Sequence, residues 1–219
     1  MAISKNRPRE LGGGYDLRGS YRLNVSTGSV TTIAARTATA GFLLSYRWSS
    51  ATSTRCFLKY VGAKFTLTTA YTTAQETGCD LILARSFSAS ASGGTAVDTG
   101  STVANTGKIM TGFGTSLMGV ASLVSVAGAG ALTAGTQTLD ANPIATLSDW
   151  SGAIGDTVPR STSGASSGYG TLWDARDQAA SPIVFAQNEG FIIRNLIVMG
   201  AVGVGRWDFT VEWDEGVPV

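Results

Sequence analysis

Between residues 182 and 215 the chain reads PIVFAQNEGFIIRNLIVMGAVGVGRWDFTVEWDE: three apolar runs separated by turn signals. In the last run Trp207, Phe209, Val211 and Trp213 alternate with Arg206, Asp208, Thr210, Glu212 and Asp214. A period of two predicts a strand with one buried and one wet face. The run 191–198 is nearly continuous in apolar and β-branched residues, which predicts a strand covered on both faces. Gln187, Asn188, Glu189 and Gly190 between the first two runs predict a turn leading into Phe191.

Upstream, residues 21–25 and 29–35 predict short strands around a Thr27-Gly28 turn. Residues 41–48 and 55–69 predict the next pair, with Gly62 marking a bulge or bend. Residues 71–78 read as a polar connection and 79–87 (CDLILARSF) as a strand. The Ser/Gly/Thr-rich stretch 88–107 reads as a long loop. Residues 115–127 are apolar but punctuated by glycine, which argues for a buried short helix or strand against a membrane span. Residues 131–139 predict a strand–turn–strand element stopped by Asn142-Pro143, and 148–181 an extended surface excursion. Many short strands with Gly-rich turns predict an all-β protein, a β-sandwich of jelly-roll type. One sandwich domain is expected over residues 21–219, preceded by a flexible basic arm over 1–20.

Composition sharpens this picture at one point. Charged residues make up 14% of the 219, against roughly 25% in an ordinary soluble domain, so surface hidden against other subunits is expected. Net charge is +1, which supplies no global field for nucleic acid or an anionic membrane. Locally, Lys5, Arg7, Arg9, Arg18 and Arg22 gather at one end, and Asp208, Glu212, Asp214 and Glu215 at the other. The basic group reads either as an arm that docks on an acidic neighbour or phosphate, or as a solvated tail. The N-terminal residues contain no apolar signal segment, so cytosolic synthesis is expected.

The search for catalytic chemistry begins from the absence of histidine, which removes the commonest general base and zinc ligand. Cys56 and Cys79 each fall on a predicted strand, so a cross-strand disulfide and a pair of buried thiols are both open, and buried thiols are the plainer reading. Residues 164–168 (GASSG) match a nucleophile-elbow pattern without its strand, helix or histidine. Gly107-Lys108 lacks the rest of a phosphate-binding loop. Asp149, Asp156, Asp174 and Asp177 match no calcium-loop spacing. Glu189 is placed to accept N–H bonds within its turn or to pair with Arg194. Trp207, Trp213, Phe209 and Phe191 read as core; Trp48, Trp150 and Trp173 lie in polar contexts and read as contact anchors or sugar platforms. No cofactor is expected, and no enzymatic activity.

The segment 182–215, with ALTAGTQTLDANP upstream (residues 131–143), resembles structural proteins of tailed bacteriophages. In that pattern an AQNEGF-like turn leads into an apolar strand, and an alternating strand closes on VEW and an acidic residue. The resemblance covers the last third of the chain. It implies a virion component, a capsid decoration (cement) protein with a jelly-roll fold that trimerises on the head and bridges capsid proteins. Gln187, Asn188, Glu189, Gly190 and Phe191 would then form a structural turn. A tail, baseplate or head-fibre component and a carbohydrate-binding module are the alternative readings.

Overall fold

A computed structural model describes residues 15–48, 53–97, 106–109, 114, 116–117, 124–127, 130–159, 169–176 and 181–218. The described residues form strands and connections, with no helix. In chain order the strands are β1 (Tyr15–Ser26), β2 (Val30–Thr31), β3 (Phe42–Arg47), β4 (Arg55–Thr69) and β5 (Gln75–Ala89). Next come β6 (Thr95–Val97), β7 (Thr106–Lys108), β8 (Val124–Val126), β9 (Thr136–Leu139) and β10 (Ala145–Ser151). The last are β11 (Thr157–Val158), β12 (Gly170–Asp174), β13 (Ile183–Phe185), β14 (Gly190–Asn195) and β15 (Val204–Pro218).

They make two antiparallel sheets. The first runs β11-β4-β15-β1-β7, with β12 and β13 also on β4 and β2 on β15; the second runs β10-β5-β14-β3-β8-β6, with β9 on β5. Early strands pair with late ones: β1 with β15, β3 with β14, β4 with β11 to β13, and β5 with β9 and β10. β15 then also joins β4, and β14 joins β5. A long antiparallel hairpin rolled on itself gives this order, so the sandwich is compatible with the expected jelly roll.

Each long strand contributes one face to a common core. Leu23, Phe65, Trp207, Phe209, Val211 and Trp213 from the first sheet meet Leu44, Tyr46, Leu81, Phe191 and Ile193 from the second. Removing each such side chain from water contributes about 1.5–3 kcal/mol. Tyr46 stacks on Phe191 at 4.8 Å and meets Trp213 edge-on at 5.8 Å, so aromatic contacts join the sheets. A second cluster of Phe42, Ile82, Ala84, Phe87 and Ile192 lies on the outer face of the second sheet. It is covered where the chain crosses from Leu132, bridged to Phe42, to Thr136, paired with Ala89.

Several expectations need correction. β1 starts at Tyr15, inside the stretch read as an arm, because residues 15–26 pair with β15 along their length, interrupted by one irregularity at Arg18. The excursion over 148–181 is partly sheet: β10 edges β5, and β11 and β12 edge β4, burying Val158 and Leu172. β5 begins at Gln75, within the supposed polar connection, and β6 lies within the supposed long loop. β14 ends at Asn195, whose side-chain amide donates to the carbonyls of Ile33, Ala34 and Ile197; Leu196 N–H makes one last bond to the Gly78 carbonyl at 2.9 Å, and Ile197-Val198 lie outside the strand. Finally, the polar face of β15 is not wet: Asp208, Thr210, Glu212 and Asp214 are all buried.

Candidate functional site

The burial of that polar face follows from the position of β15 between β1 and β4. Long side chains from the neighbours lie over its acids. Arg22 binds Glu212, with Nε at 2.8 Å, and Arg176 reaches the same carboxylate at 3.9 Å while its guanidinium stacks on Tyr60. Lys59 stands 3.3 Å from Asp214, which also accepts from Ser20. Arg206 binds Asp208 at 3.1 Å, and Asn24 accepts from Thr210. Each partly exposed pair is worth about 0–1 kcal/mol; together they neutralise the stripe. The acidic C-terminal cluster therefore meets cations from its own chain.

This changes the reading of the five basic residues singled out from the sequence. Arg18 and Arg22 are β1 side chains directed at Glu215 and Glu212, not part of a free arm. Lys5, Arg7 and Arg9 lie outside the described residues. Glu215 faces the core and is fully buried, accepting from Ser116 Oγ at 2.5 Å, the Leu117 N–H at 3.0 Å and Trp213 Nε1 at 3.3 Å, with Arg18 at 3.7 Å. Burial raises its pKa above the ordinary value, and those donors and Arg18 only partly offset it. Nearby Tyr21 is pushed up to about 12 by burial and by Glu215.

The turn Gln187, Asn188, Glu189, Gly190, Phe191 is fixed on every side. Asn188 has φ 63°, a left-handed conformation that asparagine tolerates better than most residues. Its N–H donates to the Trp48 carbonyl at 2.6 Å, and its carbonyl accepts from Phe87 at 2.7 Å. Its Oδ1 accepts two bonds from Arg47. Glu189 takes the first of its two expected roles, accepting the Ala186 N–H at 2.7 Å. It does not pair with Arg194, whose Nε and Nη2 bind Asp80 at 3.1 and 2.7 Å. The partner of Arg194 is its register neighbour on β5.

Arg194, held by the fully buried Asp80, lines a cavity of about 670 Å³ on the outer face of the second sheet. One wall is residues 36–39, where Arg36 donates to Asp80 from above. The other is residues 135–143, the end of the crossing segment. Sequence reading missed this site because its walls come from three separate parts of the chain. One signal was present: a carboxylate inside CDLIL and a guanidinium inside FIIRN are charges within apolar strands, and buried charges occur paired.

Of the proposed tryptophan anchors, Trp48 is fully buried and belongs to the core, which corrects that expectation. Trp173 packs on the core and donates to the Leu58 carbonyl. Trp150 is 58% exposed. It lies at the end of the sandwich where β4 turns into β5 and β10 into β11, and where the 196–203 loop packs on Gln75. Ile154, Val198 and Val202 are exposed at the same end. Asp156 caps the Gly152 and Ala153 N–H groups and Asp174 binds Arg176; Asp177 and the GASSG stretch fall outside the described residues. Among the described residues no group of three or more Cys, Asp or Glu is arranged to hold a metal ion. Cys56 and Cys79 are free, buried thiols, one in each sheet. Comparison of the chain with protein-family models, with curated proteins and with solved structures returned no match.

Proposed function

We propose that the chain is a non-enzymatic structural protein of a tailed-bacteriophage virion, a capsid decoration (cement) protein that acts as a homotrimer and bridges major capsid proteins on the head. The observation that carries this reading is how the surface is divided. The acids of β15 are neutralised by cations of the same chain, while Trp150, Ile154, Val198 and Val202 are exposed at one end. A surface of that kind gains by being covered. Further support comes from the segment 182–215, which carries the resemblance and supplies β14 and β15, inner strands of the two sheets.

In this reading the apolar end seats on a neighbouring protein, and Lys5, Arg7 and Arg9 reach an acidic one. Many weak contacts repeated over a shell add through avidity. Immunogold labelling of intact particles tests the assignment: gold spread over the heads is expected, and accessible epitopes without labelling anywhere overturn it. Gold at the tail or at one vertex would instead favour the tail, baseplate or head-fibre reading. Light scattering is expected to return the mass of a trimer. A carbohydrate module built on exposed tryptophans now rests on Trp150 alone, and a glycan array tests it.

A further inference from the structure

The cavity between residues 36–39 and 135–143 brings the arginines 36, 85 and 194 to the carboxylates of Asp80 and Asp140. Arg194 sets its Nε and Nη2 on Asp80 at 3.1 and 2.7 Å. Arg85 sets the same two nitrogens on Asp140, a lining residue, at 2.8 and 2.6 Å. That edge of a guanidinium carries two parallel N–H bonds spaced to match the two oxygens of a carboxylate. Arg36, which lines the same cavity, is left out of this pattern. It gives only its Nη1, to the Asp80 oxygen that Arg194 already uses. Its Nε and Nη2 have no partner among the described residues and are not buried, and a third of the side chain is exposed. Asp80 answers the charge of Arg194 and Asp140 that of Arg85, so the charge of Arg36 is left over. Its Nε–Nη2 edge is an empty, reachable copy of the fork that its neighbours have filled.

We infer that this cavity binds a single carboxylate on the Nε–Nη2 edge of Arg36, borne either by a free monocarboxylic acid or by an acidic side chain of a neighbouring protein. The ligand then repeats the pairing that Arg194 and Arg85 make, and its one negative charge balances the charge left over. An amide of the same shape offers one oxygen to the two N–H bonds and no charge. A phosphate fits the fork, but at neutral pH it brings further negative charge toward Asp80 and Asp140. The volume of about 670 Å³ exceeds what a carboxylate alone fills and lies within the range for small-ligand pockets, roughly 300–1,000 Å³. Leu139 and Pro143, both partly exposed, offer apolar contact to the group that carries the acid.

Proton–nitrogen NMR of the full chain at neutral pH tests this, following the Arg36 Nε–H and the backbone amides of residues 36–39 and 139–142. The probes are butyrate, butyramide, inorganic phosphate and a glutamate capped at both backbone ends, with sodium chloride setting the response to ionic strength. A saturable shift is expected with a carboxylate probe, at an affinity roughly ten-fold or more above that of butyramide, the worth of one charge-assisted pair. Tighter binding of the capped glutamate identifies a protein side chain as the source, and tighter binding of butyrate the free acid. Arg36→Lys keeps the charge but loses the fork, and is expected to weaken the carboxylate about ten-fold. Arg36→Gln is expected to erase the preference over butyramide. Because Arg36 also touches Asp80, Thr39→Trp serves as a second variant: it crowds the cavity from an exposed lining position outside the ion pairs and is expected to weaken every carboxylate probe. No saturable shift with either carboxylate, a response matched by butyramide or sodium chloride, tighter binding of phosphate, or unchanged binding in folded Arg36→Gln and Thr39→Trp would each overturn the assignment.

Discussion

Asp80 has no exposed surface and neutralises Arg194, which is nearly as deeply placed. Changing Asp80 to Asn keeps the shape and removes the charge, leaving a guanidinium buried without its counter-ion. Loss of one partner from a buried pair costs about 3–5 kcal/mol, and the urea midpoint of Asp80→Asn should fall accordingly. Glu215 behaves in the opposite sense. Its folded pKa is raised above the ordinary 4.5, so the native state holds its proton longer than the unfolded chain does. Its contribution is fully present below about 4.5 and is lost as pH rises through the folded pKa. Stability measured across that window should decline with rising pH in the wild type relative to Glu215→Gln; parallel profiles would refute the assignment. Side chains such as these were only half legible in the sequence. The acids of 208–215 stood out, but their partners Arg22, Lys59 and Arg176 are distant in the chain and reach them only through strand pairing. Arg36 gave no local signal, since it is not unusual until the cavity assembles around it.

At the scale of the element, legibility tracked length and periodicity. β4 spans 55–69 as expected, and the alternation in β15 places Trp207, Phe209, Val211 and Trp213 inward as read. The short strands β11 and β12 escaped notice because two and five residues carry too little pattern to signal a strand; they exist because β4 offers an unpaired edge. The other face of β15 was misread for a related reason: periodicity identifies the polar side but not what lies over it. Gly190 tests how tightly the central ladder is built. A Cβ there would collide with the Tyr46 carbonyl on β3, so Gly190→Ala should destabilise by about 3 kcal/mol, the upper end for overpacking. Gly130, with open space around it, serves as the control, and Gly130→Ala should stay within about 0.5 kcal/mol. Denaturant titration of both variants decides the matter.

For the whole molecule, the two thiols report on integrity. Cys56 belongs to the first sheet and Cys79 to the second; burial pushes both thiols well above their ordinary pKa. A thiol reagent at neutral pH should leave the native protein unmodified and label both sites once denaturant is added. Reaction of one site before the other would mean that the sheets open separately. The position of β15 bears on how the protein is made. It lies between β1 and β4 in the first sheet, although 177 residues, 27 to 203, separate the end of β1 from the start of β15. During translation β1 and β4 leave the ribosome without the strand that joins them, each exposing ladder groups and an apolar face. The sandwich cannot close until residues 204–218 have emerged, so these edges stay open for almost the whole time of synthesis. Contacts of such separation form slowly, and open edges invite pairing between nascent chains. Yield of soluble protein should therefore depend on translation rate and chaperone supply more steeply than folded-state stability alone implies.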